Sequence, residues 1–127
     1  MNVVDSSGWL EYFANGPNAD FFAPAVEDTS NLIVPSITVF EVFKRVLQQR
    51  SESDALQVAA LMQEGRVVNL DVSIALQAVR VSVDHRLPLA DSIILATALA
   101  NNAVLWTQDA DFDGLPGVQY EAKSTTQ

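Results

Sequence analysis

The sequence contains no cysteine, and this absence excludes several kinds of site. Disulfide bonds, thiolate metal centres and cysteine nucleophiles are all ruled out. Histidine occurs once, as His85, so a zinc site built from several histidines is excluded and a histidine general base is not expected. We assign His85 no catalytic role and place it at the end of a helix.

Basic residues are scarce. Seven lysines and arginines stand against sixteen aspartates and glutamates, which gives a formal net charge of −9 and a pI of about 4.2. Nucleic-acid-binding proteins usually carry a basic surface, so the charge counts against that function. Acidic residues that hold divalent cations would weaken the objection, and a basic protein partner would also fit. The charge alone leaves these alternatives open.

Long apolar runs are missing as well. None reaches the roughly 18 residues of a membrane span, and the beginning MNVVDSSGWL lacks the basic and apolar regions of a signal peptide. We therefore expect a cytoplasmic protein with no membrane segment. A length of 127 residues with an apolar fraction of 49% indicates one globular domain over residues 1–127.

Short apolar runs alternate with helical patterns along the chain. Strands are predicted at Met1–Val4, Leu32–Val34, Arg66–Leu70, Ala103–Trp106 and Val118–Tyr120. Because the runs are continuously apolar and separated by helices, we predict an α/β fold: a three-layer α/β/α arrangement around a mostly parallel, roughly five-stranded sheet.

The helices are predicted from capping residues and from the helical spacing of apolar residues. The expected N-caps are Asp5, Ser36, Ser51 and Asp71. The helix after Ser36 should bury Val39, Phe43, Val46 and Leu47, and in the helix after Asp71 the residues Ala75, Leu76, Val79 and Val83 repeat at the helical period. Residues Lys123 to Gln127 are expected to be frayed.

The stretch from Arg86 to Phe112 contains the most informative acidic residues. Asp91 lies in the first turn of a helix that otherwise looks buried, and Asp109 lies just past a buried strand. Helix starts and strand ends meet at one edge of an open α/β sheet, where such folds bind ligands. A carboxylate in a buried helix is costly unless it is paired or binds metal. We therefore expect these acids to meet Asp5 and Glu41 at that edge.

Taken singly, each acid also has an ordinary structural explanation. Asp5 could cap a helix, Asp91 could complement a helix dipole, Glu41 could pair with Arg45, and Asp109 could be a turn residue. Taken together, oxygen ligands without histidine or cysteine select Mg²⁺ or Mn²⁺. Such ions support hydrolysis of a phosphodiester without a histidine base.

The ordered set of motifs is similar to a known family. It comprises the first strand with Asp5-Ser6-Ser7, Glu41 in the helix after Pro35-Ser36, the stretch Leu87 to Ala96, and Thr107-Gln108-Asp109-x-Asp111-Phe112. This set resembles the PIN-domain family, in particular the VapC-type toxins of toxin–antitoxin pairs, over nearly the whole chain. The resemblance implies a metal-dependent endoribonuclease, a homodimer, and a cognate VapB-type antitoxin that docks on the toxin and blocks its site.

The same resemblance assigns roles by position. Asp5, Glu41 and Asp91 match the acids that hold the first Mg²⁺ or Mn²⁺, and Asp109 matches a fourth acid that helps place a second ion or the attacking water. The hydroxyls of Ser6 and Thr107 would orient water or phosphate. Asp111 would be either an outer ligand or the cap of a short turn.

The RNA and antitoxin contacts are expected on few residues. The expected phosphate contacts are Lys44, Arg45, Arg50 and Arg86, since the chain has only seven basic residues. The candidate antitoxin groove involves the aromatics Trp9, Phe13, Phe21, Phe22, Phe40 and Phe43. An aromatic cluster of this kind is more often protein core than interface.

Three other interpretations compete with this one. Asp109-x-Asp111-x-Asp113-Gly114 matches the first half of an EF-hand loop, but Tyr120 stands where the bidentate glutamate belongs and Pro116 interrupts the loop. A phosphoacceptor receiver domain would need an acid pair after the first strand, where Asp5 is alone. The main alternative is a catalytically inactive module of the same fold that binds RNA or protein.

Overall fold

The computed structural model describes residues 1–124, and within them a single five-stranded sheet forms. The strands are β1 (Asn2–Val4), β2 (Leu32–Pro35), β3 (Arg66–Val68), β4 (Val104–Thr107) and β5 (Val118–Tyr120). Their order is β3-β2-β1-β4-β5, and each neighbouring pair is parallel. The predicted sheet is confirmed, and all the carboxyl ends of its strands lie along one edge.

Helices cover both faces of this sheet. They are α1 (Ser6–Phe13), α2 (Ala19–Glu27), α3 (Ser36–Gln49), α4 (Glu52–Met62), α5 (Val72–His85) and α6 (Leu89–Ala100). One core cluster joins α5 and α6 to the sheet, and the other joins α1 to α4 to its opposite face. The predicted α/β/α layering is therefore confirmed. None of the helices in the described residues is long and apolar enough to cross a membrane.

Residue alternation along the central strands explains why their sequences are continuously apolar. Val3 and Ile33 pack toward α5 and α6, whereas the next residues, Val4 and Val34, pack toward α1 to α4. All four side chains are fully buried. A strand that is covered on both faces needs apolar residues at every position.

Some element boundaries differ from the predicted ones. Pro35, not Ser36, occupies the N-cap position of α3, and Ser36 is its first helical residue. The strand β3 ends at Val68, two residues early, and β4 is shifted one residue toward the C-terminus. The other three predicted N-caps each accept a backbone N–H; they are Asp5, Ser51 and Asp71. Of the segment predicted to be frayed, residues 125–127 lie outside the described part.

The buried faces of two helices also differ from prediction. In α3, Val42 and Val46 are buried, whereas Leu47 is 43% exposed. In α5 the apolar repeat faces outward, while Ile74, Ala78 and Val81 form the buried face. We call the outward residues the α5 stripe, and they are 60–76% exposed: Val72, Leu76, Val79 and Val83.

Candidate metal centre

The carboxyl edge of the sheet brings together the four predicted acids. Asp5 follows β1 and caps α1, Asp109 follows β4, Glu41 lies in α3, and Asp91 lies in the first turn of α6. All four line one groove of about 1210 Å³. The parallel strand order produces this convergence, because β1 and β4 are neighbours and their carboxyl ends point the same way.

Asp5 is the most deeply buried of these acids, at 2% exposure. Its carboxylate accepts hydrogen bonds from the Thr107 hydroxyl at 2.6 Å, the Gly8 backbone N–H at 2.8 Å and the Ser7 hydroxyl at 2.9 Å. Burial raises the pKa of Asp5 to about 6; the hydrogen bonds oppose this rise, and the nearby charge of Asp109 adds to it. Asp5 is therefore held in one orientation by its neighbours.

Gly8 is required at its position by close packing, whereas its bond to Asp5 uses a backbone N–H that any residue except proline would supply. A Cβ at this residue would lie 2.6 Å from Cε1 of Phe22 and 2.7 Å from Cγ1 of Val4. The first turn of α1 can approach the sheet this closely only with glycine, and this approach fixes the distance between the helix start and Asp5.

Two hydroxyl groups link the acids to one another. The Thr107 hydroxyl donates to Asp5 and accepts the backbone N–H of Asp109 at 2.9 Å, so one buried side chain joins two strand ends. The Ser6 hydroxyl donates to Glu41 at 2.5 Å. Both predicted hydroxyls thus contact the predicted acids; contact with water or phosphate remains a prediction.

Asp91 carries the strongest electrostatic perturbation in the groove. Burial, followed by the charges of Asp109, Asp5, Glu41 and Asp111, raises the pKa of Asp91 to about 7. In the described residues no lysine or arginine forms a salt bridge with it, and the one ion pair found there joins Arg50 to Asp54. Converging carboxylates without a balancing cation are the electrostatic arrangement of a metal site.

Three carboxylates are close enough to share an ion. Oxygen atoms of Asp91, Asp109 and Asp111 lie within 4.8 Å of one another. Asp109 also caps the short 3₁₀ turn Ala110–Phe112 by accepting the Asp111 N–H at 2.9 Å, so the cap of that turn is Asp109, not Asp111. A donor set made only of carboxylate oxygens fits Mg²⁺ or Mn²⁺.

Asp5 and Glu41 are not in that three-residue set. Both are close enough to raise the pKa of Asp91, yet each is hydrogen-bonded to a hydroxyl group. The resemblance assigns Asp5 and Glu41 to the metal, and it allows Asp111 either as an outer ligand or as the cap of a turn. The available signal for Asp111 is its position two residues after Asp109, because a tight turn can bring two side chains at this spacing close together.

The predicted cations divide between the groove and the rest of the surface. Lys44, Arg45 and Arg50 line the groove, whereas Arg86 does not. Arg86 is the left-handed C-cap of α5 with φ 55°, and the turn through Leu87 separates it from the groove despite its closeness to Asp91 in sequence. His85 ends α5, as predicted, and also lies outside the groove.

Gln108 and Lys123 are among the groove-lining residues that sequence interpretation missed. Gln108 is buried, and its side-chain oxygen accepts a hydrogen bond from the Asn18 side chain at 2.9 Å. Lys123 follows β5 and had been assigned to a frayed end. The available signal for Lys123 was the parallel β5, because a residue just past that strand must lie at the same edge as the acids.

The predicted aromatic docking surface is mostly core. Trp9 and Phe22 are fully buried, and Phe21 packs on Trp106 with ring centroids 5.2 Å apart. Phe13 and Phe40 line the groove, and Phe40 is 63% exposed. The apolar part of the groove is therefore smaller than predicted and continues directly from the acidic part.

Comparisons with known proteins agree with this geometry. A family model described as the PIN domain matches residues 3–118. A sequence comparison with curated proteins gives no match.

Several solved structures share the fold. A toxin–antitoxin complex from Klebsiella pneumoniae is 25% identical, with a TM-score of 0.78 over 94% of this chain and 96% of that chain. VapC20 of Mycobacterium tuberculosis, described as a sarcin–ricin loop cleaving toxin, is 15% identical, with a TM-score of 0.74 over 91% and 95%. VapBC2 from Rickettsia felis, bound to a promoter DNA fragment, is 12% identical, with a TM-score of 0.72 over 95% and 97%. The fold and the acidic edge are consistent with the family model, which matches residues 3–118. The chain therefore belongs to the PIN-domain family.

Proposed function

We propose that this protein is a cytoplasmic, metal-dependent endoribonuclease that acts as the toxin of a toxin–antitoxin pair. The observation that carries the proposal is that carboxylate oxygens of Asp91, Asp109 and Asp111 lie within 4.8 Å of one another at the edge of the groove that Asp91 and Asp109 line, with no cation paired to Asp91 in the described residues. PIN-domain nucleases generally use divalent metals, and this oxygen-only set suits Mg²⁺ or Mn²⁺. Which of the two ions is used is part of what the experiment must answer.

The chain's own residues have distinct roles in the proposed reaction. Asp91, Asp109 and Asp111 would hold the ion, with Asp5 and Glu41 as the adjacent acids. A bound divalent ion supplies an activated water and stabilises the charge of the leaving oxygen. Thr107 and Ser6 orient Asp5 and Glu41 through the hydrogen bonds described above. Lys44 and Arg45 bind phosphates of the RNA beside the acids.

The direct test is cleavage of a mixed RNA pool by the purified protein in Mg²⁺, Mn²⁺ or EDTA. Cleavage should require metal and fall in Asp91→Asn by more than the roughly 10- to 100-fold typical of losing an outer-sphere partner. The matched control is Asp84→Asn, which removes an exposed acid outside the groove. Metal-independent cleavage, or equal activity of Asp91→Asn and wild type, would reject the proposal. A folded protein that binds RNA without cutting it would favour the inactive binding module.

An antitoxin segment would occupy the apolar part of the groove. The 25%-identical structure from Klebsiella pneumoniae is a toxin–antitoxin complex, and here the exposed side chains of Phe40 and Leu61 line the same groove as the acids. The net charge of −9 favours a basic partner. The test measures inhibition of cleavage by the cognate antitoxin, relative to each variant's own uninhibited rate. Inhibition should weaken in Leu61→Glu. It should persist in the control Leu99→Glu, because Leu99 lies outside the groove. Equal inhibition of both variants would move the docking surface elsewhere.

A homodimer is also part of this proposal, and the α5 stripe supports it. The stripe residues are spaced by four, three and four positions, so an antiparallel two-fold pairing sets Val72 against Val83 of the second copy and Leu76 against Val79. The segment from Leu70 to Ala90 holds two aspartates and two arginines, so it is neutral in a chain of net charge −9. Two copies can therefore meet at this face without bringing their acidic surfaces together.

A further inference from the structure

The chain after β5 is fixed to the rim of the acidic groove. β5 pairs with β4 as far as Thr107 and Tyr120, and the Glu121 N–H then donates to the Thr107 carbonyl at 3.1 Å. The Asn18 side chain donates to the carbonyl of Ala122 at 3.0 Å and to Gln108 at 2.9 Å. Hydrogen bonds from two different elements therefore hold the segment that precedes Lys123.

Lys123 lines the same groove as the acids, and its position follows from the strand order. Along the carboxyl edge the sequence of strands is β2, β1, β4 and β5. β2 leads into α3 with its groove-lining cations, β1 and β4 lead into Asp5 and Asp109, and β5 leads into Lys123. At about 4.8 Å between neighbouring strands, the carboxyl ends of β2 and β5 are about 14 Å apart. Asp5 and Asp109, at the ends of β1 and β4, thus lie between the start of α3 on one side and the segment that carries Lys123 on the other.

The distribution of charge supports a role for this lysine. Four of the seven basic residues line the groove although the chain is strongly acidic, and the remaining three do not: Arg66, Arg80 and Arg86. Within the groove, Arg50 is engaged by Asp54 at 3.0 Å, and Lys44 lies 5.8 Å from the centre of the Phe40 ring. Lys123 is the groove cation that comes from outside α3 and its C-cap.

We propose that Lys123 binds a backbone phosphate of single-stranded RNA, on the side of the acidic centre opposite α3. The proposal rests on the nuclease function proposed above and adds a substrate contact to that site. A polyanion that crosses the acids needs cations on both sides of them, because phosphate contacts fix the register of the strand over the centre. The Asn18 anchor makes the Lys123 position reproducible, so the contact selects which phosphate lies at the acids.

Binding of a fluorescent 12-nucleotide single-stranded RNA in EDTA tests this contact apart from cleavage. We would compare the full-length wild type with Lys123→Ala, Lys123→Arg and the matched control Arg66→Ala, which removes a cation outside the groove. Loss of one single-strand phosphate contact should reduce the slope of log K against log salt by about 0.7. We expect that reduction in Lys123→Ala and wild-type slopes in the other two. In cleavage assays Lys123→Ala should raise KM several-fold with kcat unchanged, as for loss of uniform binding.

The outcomes separate this inference from the nuclease proposal. An unchanged salt slope in Lys123→Ala, an equal reduction in Arg66→Ala, or no RNA binding by the wild type would each overturn the Lys123 contact. If the wild type cuts RNA in metal while the Lys123→Ala slope is unchanged, the contact is wrong and the nuclease stands. If the slope falls but no metal supports cutting, the contact stands and the nuclease is wrong.

Discussion

At the scale of single residues, Thr107 connects two of the acids in the acidic centre. Its hydroxyl is the shortest hydrogen-bond partner of Asp5 and also receives the N–H of Asp109, so it fixes two acids from neighbouring strands at once. The side chain is fully buried, so neither bond can be replaced by bulk water. The Thr107 hydroxyl therefore contributes to the site by orienting Asp5 and Asp109.

Thr107→Val is expected to remove both bonds while keeping the side-chain volume. The free energy of unfolding should fall by about 1–3 kcal/mol, because a buried carboxylate and a backbone N–H lose a partner. Metal affinity should fall by roughly 10- to 100-fold. Urea unfolding and the Mn²⁺ dependence of the melting temperature measure the two effects. Thr107→Ser keeps the hydroxyl and should retain most of the metal response; equal losses in both variants would contradict the account.

The contrast between Arg86 and Lys123 shows what residue-level interpretation could not supply. Arg86 is five residues from Asp91 in sequence but lies outside the groove, because α5 must end and reverse before α6 begins. Lys123 is 32 positions from Asp91 (123 minus 91) but lines the groove with it. The acids were predictable because each follows a strand or begins a helix at the same edge. The positions of Arg86 and Lys123 were not predictable, because they depend on the path of the chain after α5 and after β5.

At the scale of elements, the sheet was predictable and the orientation of the helices was not. Continuous apolar runs identify buried parallel strands, since both faces of each strand need apolar residues. Apolar periodicity marks one face of a helix, but α5 is apolar on two faces. Ile74, Ala78 and Val81 face the core, while the α5 stripe faces outward, and β-branched residues occur on both faces. Periodicity alone could not tell these faces apart.

The α5 stripe leads to a prediction about assembly. Leu76→Glu places a charge opposite Val79 of the second copy in the proposed pairing, where it would be buried without a partner. We expect the dimer dissociation constant to rise by at least about 100-fold, which corresponds to roughly 3 kcal/mol. Analytical ultracentrifugation over a concentration series measures it. Leu99→Glu alters a leucine of 48% exposure on α6 outside the stripe, and its assembly should match the wild type. A monomeric wild type, or a dimer indifferent to Leu76→Glu, would refute the two-fold contact.

At the scale of the whole molecule, the acidic centre links stability to pH. The pKa values of Asp5 and Asp91 are raised to about 6 and about 7 from an ordinary value of 3.8. Between about pH 4 and pH 7, the folded protein therefore keeps protons that the unfolded chain has lost, and the free energy of unfolding falls as pH rises. The stabilisation that these two acids contribute is complete below their ordinary pKa of 3.8. It is lost as the pH rises through their folded pKa values of about 6 and about 7.

The metal-free protein should consequently be more stable at about pH 5 than at about pH 7.5. Asp5 alone should contribute roughly 1.4 kcal/mol to this difference, because only about one pKa unit separates pH 5 from its pKa of about 6, at about 1.4 kcal/mol per unit. Urea unfolding in EDTA at several pH values measures the profile. Asp91→Asn should flatten it, whereas Asp84→Asn should leave it unchanged. A profile that rises with pH over this window would show that the acids are not in mutual repulsion.

Divalent metal should reverse the loss of stability at neutral pH. Mg²⁺ or Mn²⁺ binds the folded centre and not the unfolded chain, so the melting temperature should rise with metal concentration, and a concentration of 100 times Kd should add about 2.7 kcal/mol. Asp91→Asn should lose most of this response while Asp84→Asn keeps it. A response that is equal in the two variants would place the binding of metal elsewhere on the acidic surface.

The strand order also has a consequence for how the protein is made. β1 leaves the ribosome before its neighbour β4 and before the acids Asp91, Asp109 and Asp111, which follow it by more than 80 residues in the sequence. Until β4 is released, Asp5 has no Thr107 hydroxyl and the three-carboxylate cluster does not exist. A nascent chain therefore has no assembled centre beside the messenger and ribosomal RNA around it. A message broken within the region that encodes α6 or β4 therefore encodes a fragment without the three-carboxylate cluster, which under the proposed function would not cut RNA.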